Sequence, residues 1–127
     1  MPLELSNPPG VHKPGAYSHA VLVRDATRRL VISGQVGTAP DGTIAEGGEA
    51  QIDQALANLG SILAAHGMTP ANLVKMTVFL TDPALIAAWR TKRAAWMGDH
   101  RSASTLLVVA GLADPRFLVE VEGEAAD

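Results

Sequence analysis

Three carboxylates alternate near the end of the chain: Glu120, Glu122 and Glu124. At a spacing of two, a strand places them on one face, where they repel one another. That face must therefore meet water, cations or a polar cleft. Glu120 is the innermost of the three. If it borders a cleft, it is the candidate to hold a water or pass a proton; otherwise the row is a solvated edge. The remaining reactive side chains carry weaker signals. The histidines are His12, His19, His66 and His100, and none stands four residues from another, so no metal site is expected. His66 reads as a cation at a helix C-terminus and His100 as a loop residue. Ser18, Ser33 and Ser104 lie on or beside strands, with no neighbour marking any of them as an activated nucleophile. Arg90, Lys92 and Arg93 read as a solvated, salt-bridging helix face, and Trp89 and Trp96 as core. The chain has no cysteine, which excludes disulfides, thiolate metal sites and a Cys nucleophile. It also lacks a P-loop, a dinucleotide-binding glycine pattern, a nucleophile elbow and an H-E-x-x-H helix.

The elements that must position these groups follow from composition and period. With 127 residues, 47% hydrophobic and 18% charged, the chain suits one globular domain, 1–127, with an extended arm over 1–16 rich in proline and glycine. Its net charge of −3 and its two Trp, one Tyr and two Phe give no basic footprint and few stacking platforms, so no nucleic-acid partner is expected. No apolar run reaches about 18 residues, so no membrane span is expected. The first residues read as no signal peptide, which predicts a cytoplasmic protein. Order is expected to begin near Tyr17. Strands are predicted over 18–23 and 30–36, joined as a hairpin by the polar stretch 24–29. Pro40-Asp41-Gly42 is a turn. From 49 to 66 the period becomes 3.6, and Ile52, Ala55, Leu56, Leu59, Ile62 and Leu63 form one stripe that ends at Gly67. A third strand follows over 73–81, with Val74, Met76, Val78 and Leu80 on one face. Asp82-Pro83 opens a second helix that runs to about Met97, with Leu85, Ile86, Trp89, Arg93 and Trp96 near one side. The run 104–110, apolar on both faces, predicts a central strand. A last strand covers 117–124, with Phe117, Val119 and Val121 facing one way. The order ββαβαββ argues for an α+β fold, with a mixed, mostly antiparallel sheet and two helices on one face. The other face has more apolar surface than the helices can hide, which points to oligomerisation.

Several stretches taken together resemble a known family. They are Tyr17-Ser18, Val31-Ile32-Ser33-Gly34-Gln35, Gln51 and Asn58 on a helix ending His66-Gly67, residues 74–82 (Val-Lys-Met-Thr-Val-Phe-Leu-Thr-Asp), and Leu118-Val119-Glu120-Val121-Glu122. In order and with small gaps, they resemble the RidA/YjgF family of reactive-intermediate deaminases, historically called L-PSP endoribonucleases. The resemblance implies a chorismate-mutase-like (YjgF-like) α+β fold. It also implies a homotrimer whose sheets form a central barrel, with a small-molecule cleft at each subunit interface. Active members hydrolyse imines and enamines to keto acids and ammonia without metal or cofactor. In them an arginine clamps the substrate carboxylate, a glutamate orients the attacking water, and Tyr and Ser positions line the pocket. The glutamate falls on Glu120, the tyrosine on Tyr17 and the serine on Ser33. The arginine does not carry over. Where the family pattern has Pro-Ala-Arg, this chain has Ser102-Ala103-Ser104. A guanidinium binds a carboxylate through a two-point fork, whereas a hydroxyl offers one neutral donor. Arg101, three residues upstream, is the candidate to replace it. The reading is a hydrolase of imines or enamines other than simple 2-imino acids, using Glu120 and a water. The alternative is a non-catalytic trimeric metabolite-binding protein. A ribonuclease is the weakest reading, given the charge.

Overall fold

The structure is a computed structural model that describes residues 2–127. Its elements run β1 (Leu3–Ser6), β2 (Ala20–Val23), β3 (Arg29–Val36), α1 (Gly48–Ala65), β4 (Leu73–Leu80), α2 (Ile86–Met97), β5 (Ala103–Val108) and β6 (Val119–Ala126). The 3.6-residue stripe builds α1 and buries Ile52, Ala55, Leu56, Leu59 and Leu63. The helix stops where Gly67 takes a φ of 70°, a conformation that costs glycine little. Before α2, the Asp82 side chain accepts a hydrogen bond from the backbone N–H of Ala84, capping a single turn that starts with Pro83.

The main sheet has the order β3-β6-β4-β5. β6 is antiparallel to both β3 and β4, while β4 and β5 are parallel, as the α2 crossover between them requires. Strict alternation assigns the two faces. Met76, Val78 and Leu80 of β4 are buried, as are Val119, Val121 and Ala125 of β6, and all join one core with α1, Trp89 and Met97. A register shift between Leu73 and Lys75 makes Leu73, rather than Val74, the fourth buried residue of β4. The opposite face is crossed by rows of aligned partners: Glu120–Phe79–Leu107, then Glu122–Thr77–Thr105. Among the described residues no helix covers it, and Val31 and Leu107 stand 65% and 44% exposed.

Other sequence expectations are corrected as well. The strand over 18–23 does not form a hairpin with the strand over 30–36. Instead β2 pairs with β1, so order begins well before Tyr17. The intervening loop is held from elsewhere: Thr27 and Arg28 donate backbone N–H bonds to the carbonyl of Asp127, and the Arg28 guanidinium pairs with the Asp127 carboxylate. The run over 104–110 is an edge strand, not a central one, because the apolar residues on its outer side find no cover within the chain. Phe117 lies in the turn before β6, where its N–H bonds the carbonyl of Asp114.

The segments between these elements are held by side-chain amides, one buried and one half-buried. Gln51 is 2% exposed. Its Nε2 donates to the carbonyls of Ala45 (3.0 Å) and Arg116 (2.9 Å), and its Oε1 accepts from the N–H of Leu118 (2.8 Å). Asn58 donates to the carbonyls of Val36 and Thr38, which fixes the exit of β3. A Gln51→Leu variant keeps the volume and strands three backbone groups. Each unsatisfied buried group costs ~1–3 kcal/mol, so the variant should lose about 3 kcal/mol of stability in urea denaturation. A loss below about 0.5 kcal/mol would show that the clasp is dispensable.

Candidate functional site

The polar residues singled out in the sequence fall into two clusters. The first lies on the uncovered sheet face. The register of β3 against β6 shifts between Ile32 and Gln35, so the bulge contains Ser33 and Gly34. The side chain of Glu120 folds over this bulge. A Cβ placed on Gly34 would lie 1.9 Å from Glu120 Oε2 and 2.7 Å from its Cδ. Gly34 is therefore the residue that lets this carboxylate lie against the strand. The three acids of β6 have different environments. Glu124 pairs with Arg29 at 3.1 Å and Glu122 is exposed. Glu120 is half-buried, and among the described residues its carboxylate has no hydrogen-bond or ion-pair partner. Ser33 is exposed beside it, and its carbonyl accepts from Gln35 Nε2.

The second cluster lies at the β5 edge, on the helix side. Ser18 forms a parallel bridge to Ala103 and donates its N–H to the Ser102 carbonyl at 3.1 Å, which fastens Tyr17 next to β5. Ser104 is the register partner of Met76 and so faces the helices. A cavity of about 210 Å³ opens there, lined by Ala16, Tyr17, Trp89, Arg90, Arg93, Ser104 and Leu106. The arm over it is ordered by its own polar contacts. His19 Nε2 donates to the His12 carbonyl at 2.6 Å, and the Tyr17 hydroxyl lies 3.3 Å from His12 Nε2. The rings of His12 and His19 meet edge to face.

Tyr17 and Ser104 are thus brought together, as are Glu120 and Ser33, but the two pairs occupy opposite faces of the sheet. Arg101 is at neither. Its guanidinium donates to the carbonyls of Gly15, Gly98 and His100, tying the arm to the end of α2. His100 bonds the Leu73 carbonyl at 2.7 Å, and His66 is the C-cap of α1. No group of three or more His, Cys, Asp or Glu able to hold a metal occurs among the described residues, and no helix there is long and apolar enough to cross a membrane.

One cavity residue needs a correction. Of the three cations read as a solvated face, Arg90 is exposed and Lys92 bridges to Asp53 at 2.9 Å, but Arg93 is buried. Its place was visible in the 3.6 period, because Trp89, Arg93 and Met97 are spaced by four and are the buried residues of α2. Burial lowers the affinity of Arg93 for its proton, and repulsion from Arg101 and Arg90 lowers it further.

Comparison with known proteins adds the following. Residues 10–127 match the family model described as Endoribonuclease L-PSP. The YyfB protein of Yersinia pestis, a member of the conserved Rid protein family of unknown function, is 32% identical. It covers 99% of each chain with a TM-score of 0.89. RidA from an Antarctic Psychrobacter is 31% identical, covers 91% of this chain and 92% of its own, and has a TM-score of 0.75. The 2-iminobutanoate/2-iminopropanoate deaminase of Rattus norvegicus is 50% identical over 70 residues, 54% of this chain and 49% of its own. The chain thus spans about half the length of the curated deaminases it matches.

The contact between Gly34 and Glu120 is testable by a double-mutant cycle. Gly34→Ala forces the whole Glu120 side chain to rotate, and overpacking of this kind costs about 1–3 kcal/mol. In a Glu120→Ala background the same substitution should cost at least ~1 kcal/mol less. Additive losses would show that the carboxylate does not rest on the glycine.

Proposed function

The chain belongs to the Endoribonuclease L-PSP family, the RidA/YjgF proteins, and from that premise we propose that it hydrolyses imines or enamines in a cleft formed between copies of itself. The observation that carries this reading is the environment of Glu120. A half-buried carboxylate without a partner, held over a glycine bulge on an open face, is placed to accept a proton from water. In the proposed reaction Glu120 takes a proton from the attacking water while the oxygen bonds to the imine carbon. It then returns the proton to the nitrogen of the tetrahedral carbinolamine. The hydroxyl proton then passes through the same carboxylate to that nitrogen as the carbonyl forms, the C–N bond breaks and ammonia leaves. An enamine first takes a proton on carbon and gives one up from nitrogen to become the imine.

The division of the polar residues supports an interfacial cleft. Tyr17 and Ser104 sit at the β5 edge, while Glu120 and Ser33 sit on the other face. One chain cannot close them around a single small molecule, whereas the edge of one copy against the open face of the next can. The exposed Val31 and Leu107 on that face favour its burial, and the family resemblance favours a homotrimer. The relatives named as deaminases act on 2-iminobutanoate and 2-iminopropanoate. In this chain Ser104 offers one neutral hydroxyl where the family pattern has a guanidinium fork, so the reading extends to imines and enamines beyond that pair. The same serine favours a second reading, a trimeric metabolite-binding protein without turnover.

Turnover against saturable binding separates the two. An amino-acid oxidase supplies fresh imines, and semicarbazide competes for them. Added protein should speed keto-acid release and lower semicarbazone yield, and Glu120→Gln should slow this by about 10²-fold or more. Acceleration that survives in Glu120→Gln would reject the role given to Glu120, and no acceleration with any imine tried would reject the hydrolase. In sedimentation equilibrium the native chain should run at three times its 13.2 kDa mass, and a Val31→Asp/Leu107→Asp variant should run as the monomer. A native monomer would reject the shared cleft.

A further inference from the structure

The buried arginine of α2 has no role in the reaction just described. Arg93 is 5% exposed and occupies a core-facing position, one turn from Trp89 and one turn from Met97. A buried guanidinium is costly unless an anion or several hydrogen bonds complete it. Among the described residues it has neither a hydrogen bond nor an ion pair with any side chain or carbonyl, and the charged groups that act on it, Arg101 and Arg90, have its own sign. Among the described residues no polar side-chain nitrogen is both fully enclosed and without a partner, so the guanidinium of Arg93 faces the cavity it lines.

We propose that this cavity is a receptor for a small organic carboxylate, with the Arg93 guanidinium as its anion-binding group. The surrounding residues select the ligand class. Ser104 and Tyr17 each bring one hydroxyl, which suits a singly charged, planar acceptor. Trp89, Leu106 and Ala16 give the rest of the wall an apolar lining that suits a short carbon chain more than inorganic phosphate or sulfate. At about 210 Å³ the space admits a molecule of a few heavy atoms. Arg101 does not compete for the ligand, since backbone carbonyls engage its donors. As a binding site the receptor stands alone; as the substrate's carboxylate pocket it rests on the hydrolase reading.

Pyruvate is the probe, with uncharged methyl pyruvate and inorganic sulfate as comparisons, measured by calorimetric titration and by thermal unfolding of the full chain. Pyruvate should bind saturably and raise the melting temperature, and both other compounds should bind at least about tenfold more weakly. Arg93→Met should weaken pyruvate at least about tenfold and, without ligand, melt no lower than the native chain, because an uncompensated charge has left the interior. Should Arg93→Met fail to fold, Arg93→Lys keeps the charge and loses the fork, and it should also bind pyruvate more weakly. Native affinity in either folded variant, equal binding of methyl pyruvate, or sulfate binding as tight as pyruvate would overturn the proposal. The two readings fail separately. Arg93-dependent pyruvate binding in a native chain without turnover rejects only the hydrolase. Glu120-dependent turnover with Arg93-independent binding rejects only the receptor.

Discussion

The amide of Gln51 sets where the last strand begins. It accepts from the N–H of Leu118 and donates to the carbonyls of Ala45 and Arg116, joining α1 at once to the segment after β3 and to the segment before β6. Two residues beyond Leu118 stands Glu120. The clasp is tight enough to dictate a neighbour: a Cβ on Gly37 would sit 2.6 Å from the side chain of Gln51, so that position must be glycine. Just before β6, Arg116 folds onto Asp114 and pulls its carboxyl down to about 2. The place of the carboxylate on the open face thus descends from a neutral, buried amide on the other side of the sheet. An amide suits this task because it satisfies donors and acceptors together and adds no charge to the interior.

The sheet separates two kinds of polar environment. On its open face, Glu120 lies against a bulge with no cation beside it. On its helix side, Arg93 lies in a cavity with no anion beside it. In most cores such charges would be paired and thereby neutralised. Here the sheet and its side chains keep the acid and the base apart. Ser104 leaves the strand wall of this cavity neutral, and Arg93, on the helix packed against that strand, is the buried cation that lines it.

What the sequence revealed and what it concealed divide along physical lines. The alternation of Glu120, Glu122 and Glu124 and the stripe of α1 are local periodicities: α1 forms as read, and the alternating strand forms two residues later than read, over Val119–Ala126. The pairing of β2 is not local. Residues 18–23 had an obvious neighbour in 30–36, yet Leu3–Ser6 takes the pairing, and a short strand inside a proline-rich arm leaves little periodic trace. The edge position of β5 was hidden because an apolar strand reads alike whether its cover comes from its own chain or from none of it. Arg93 carried two conflicting signals: the run of cations suggested a wet surface, while its helical position put it on the side of Trp89, and the position prevails, with Trp89, Arg93 and Met97 the buried residues of α2.

The strand order β3-β6-β4-β5 has a consequence for how the molecule comes to be folded. β6 lies between β3 and β4 and is the last strand of this sheet to be synthesised. Until it arrives β3 has no partner in the sheet, since Arg29 waits for Ala126 and Val36 for Glu120. Within this sheet only β4 and β5, joined by α2, can assemble early, as a parallel unit with one edge open. Closing so long a loop before its contacts repay the lost entropy slows folding. Nascent chains therefore pass through a stage in which β3 and β4 each show an unpaired edge to their neighbours. For this chain the hazard to solubility lies in that interval, and its length is set by how soon β6 becomes free to pair.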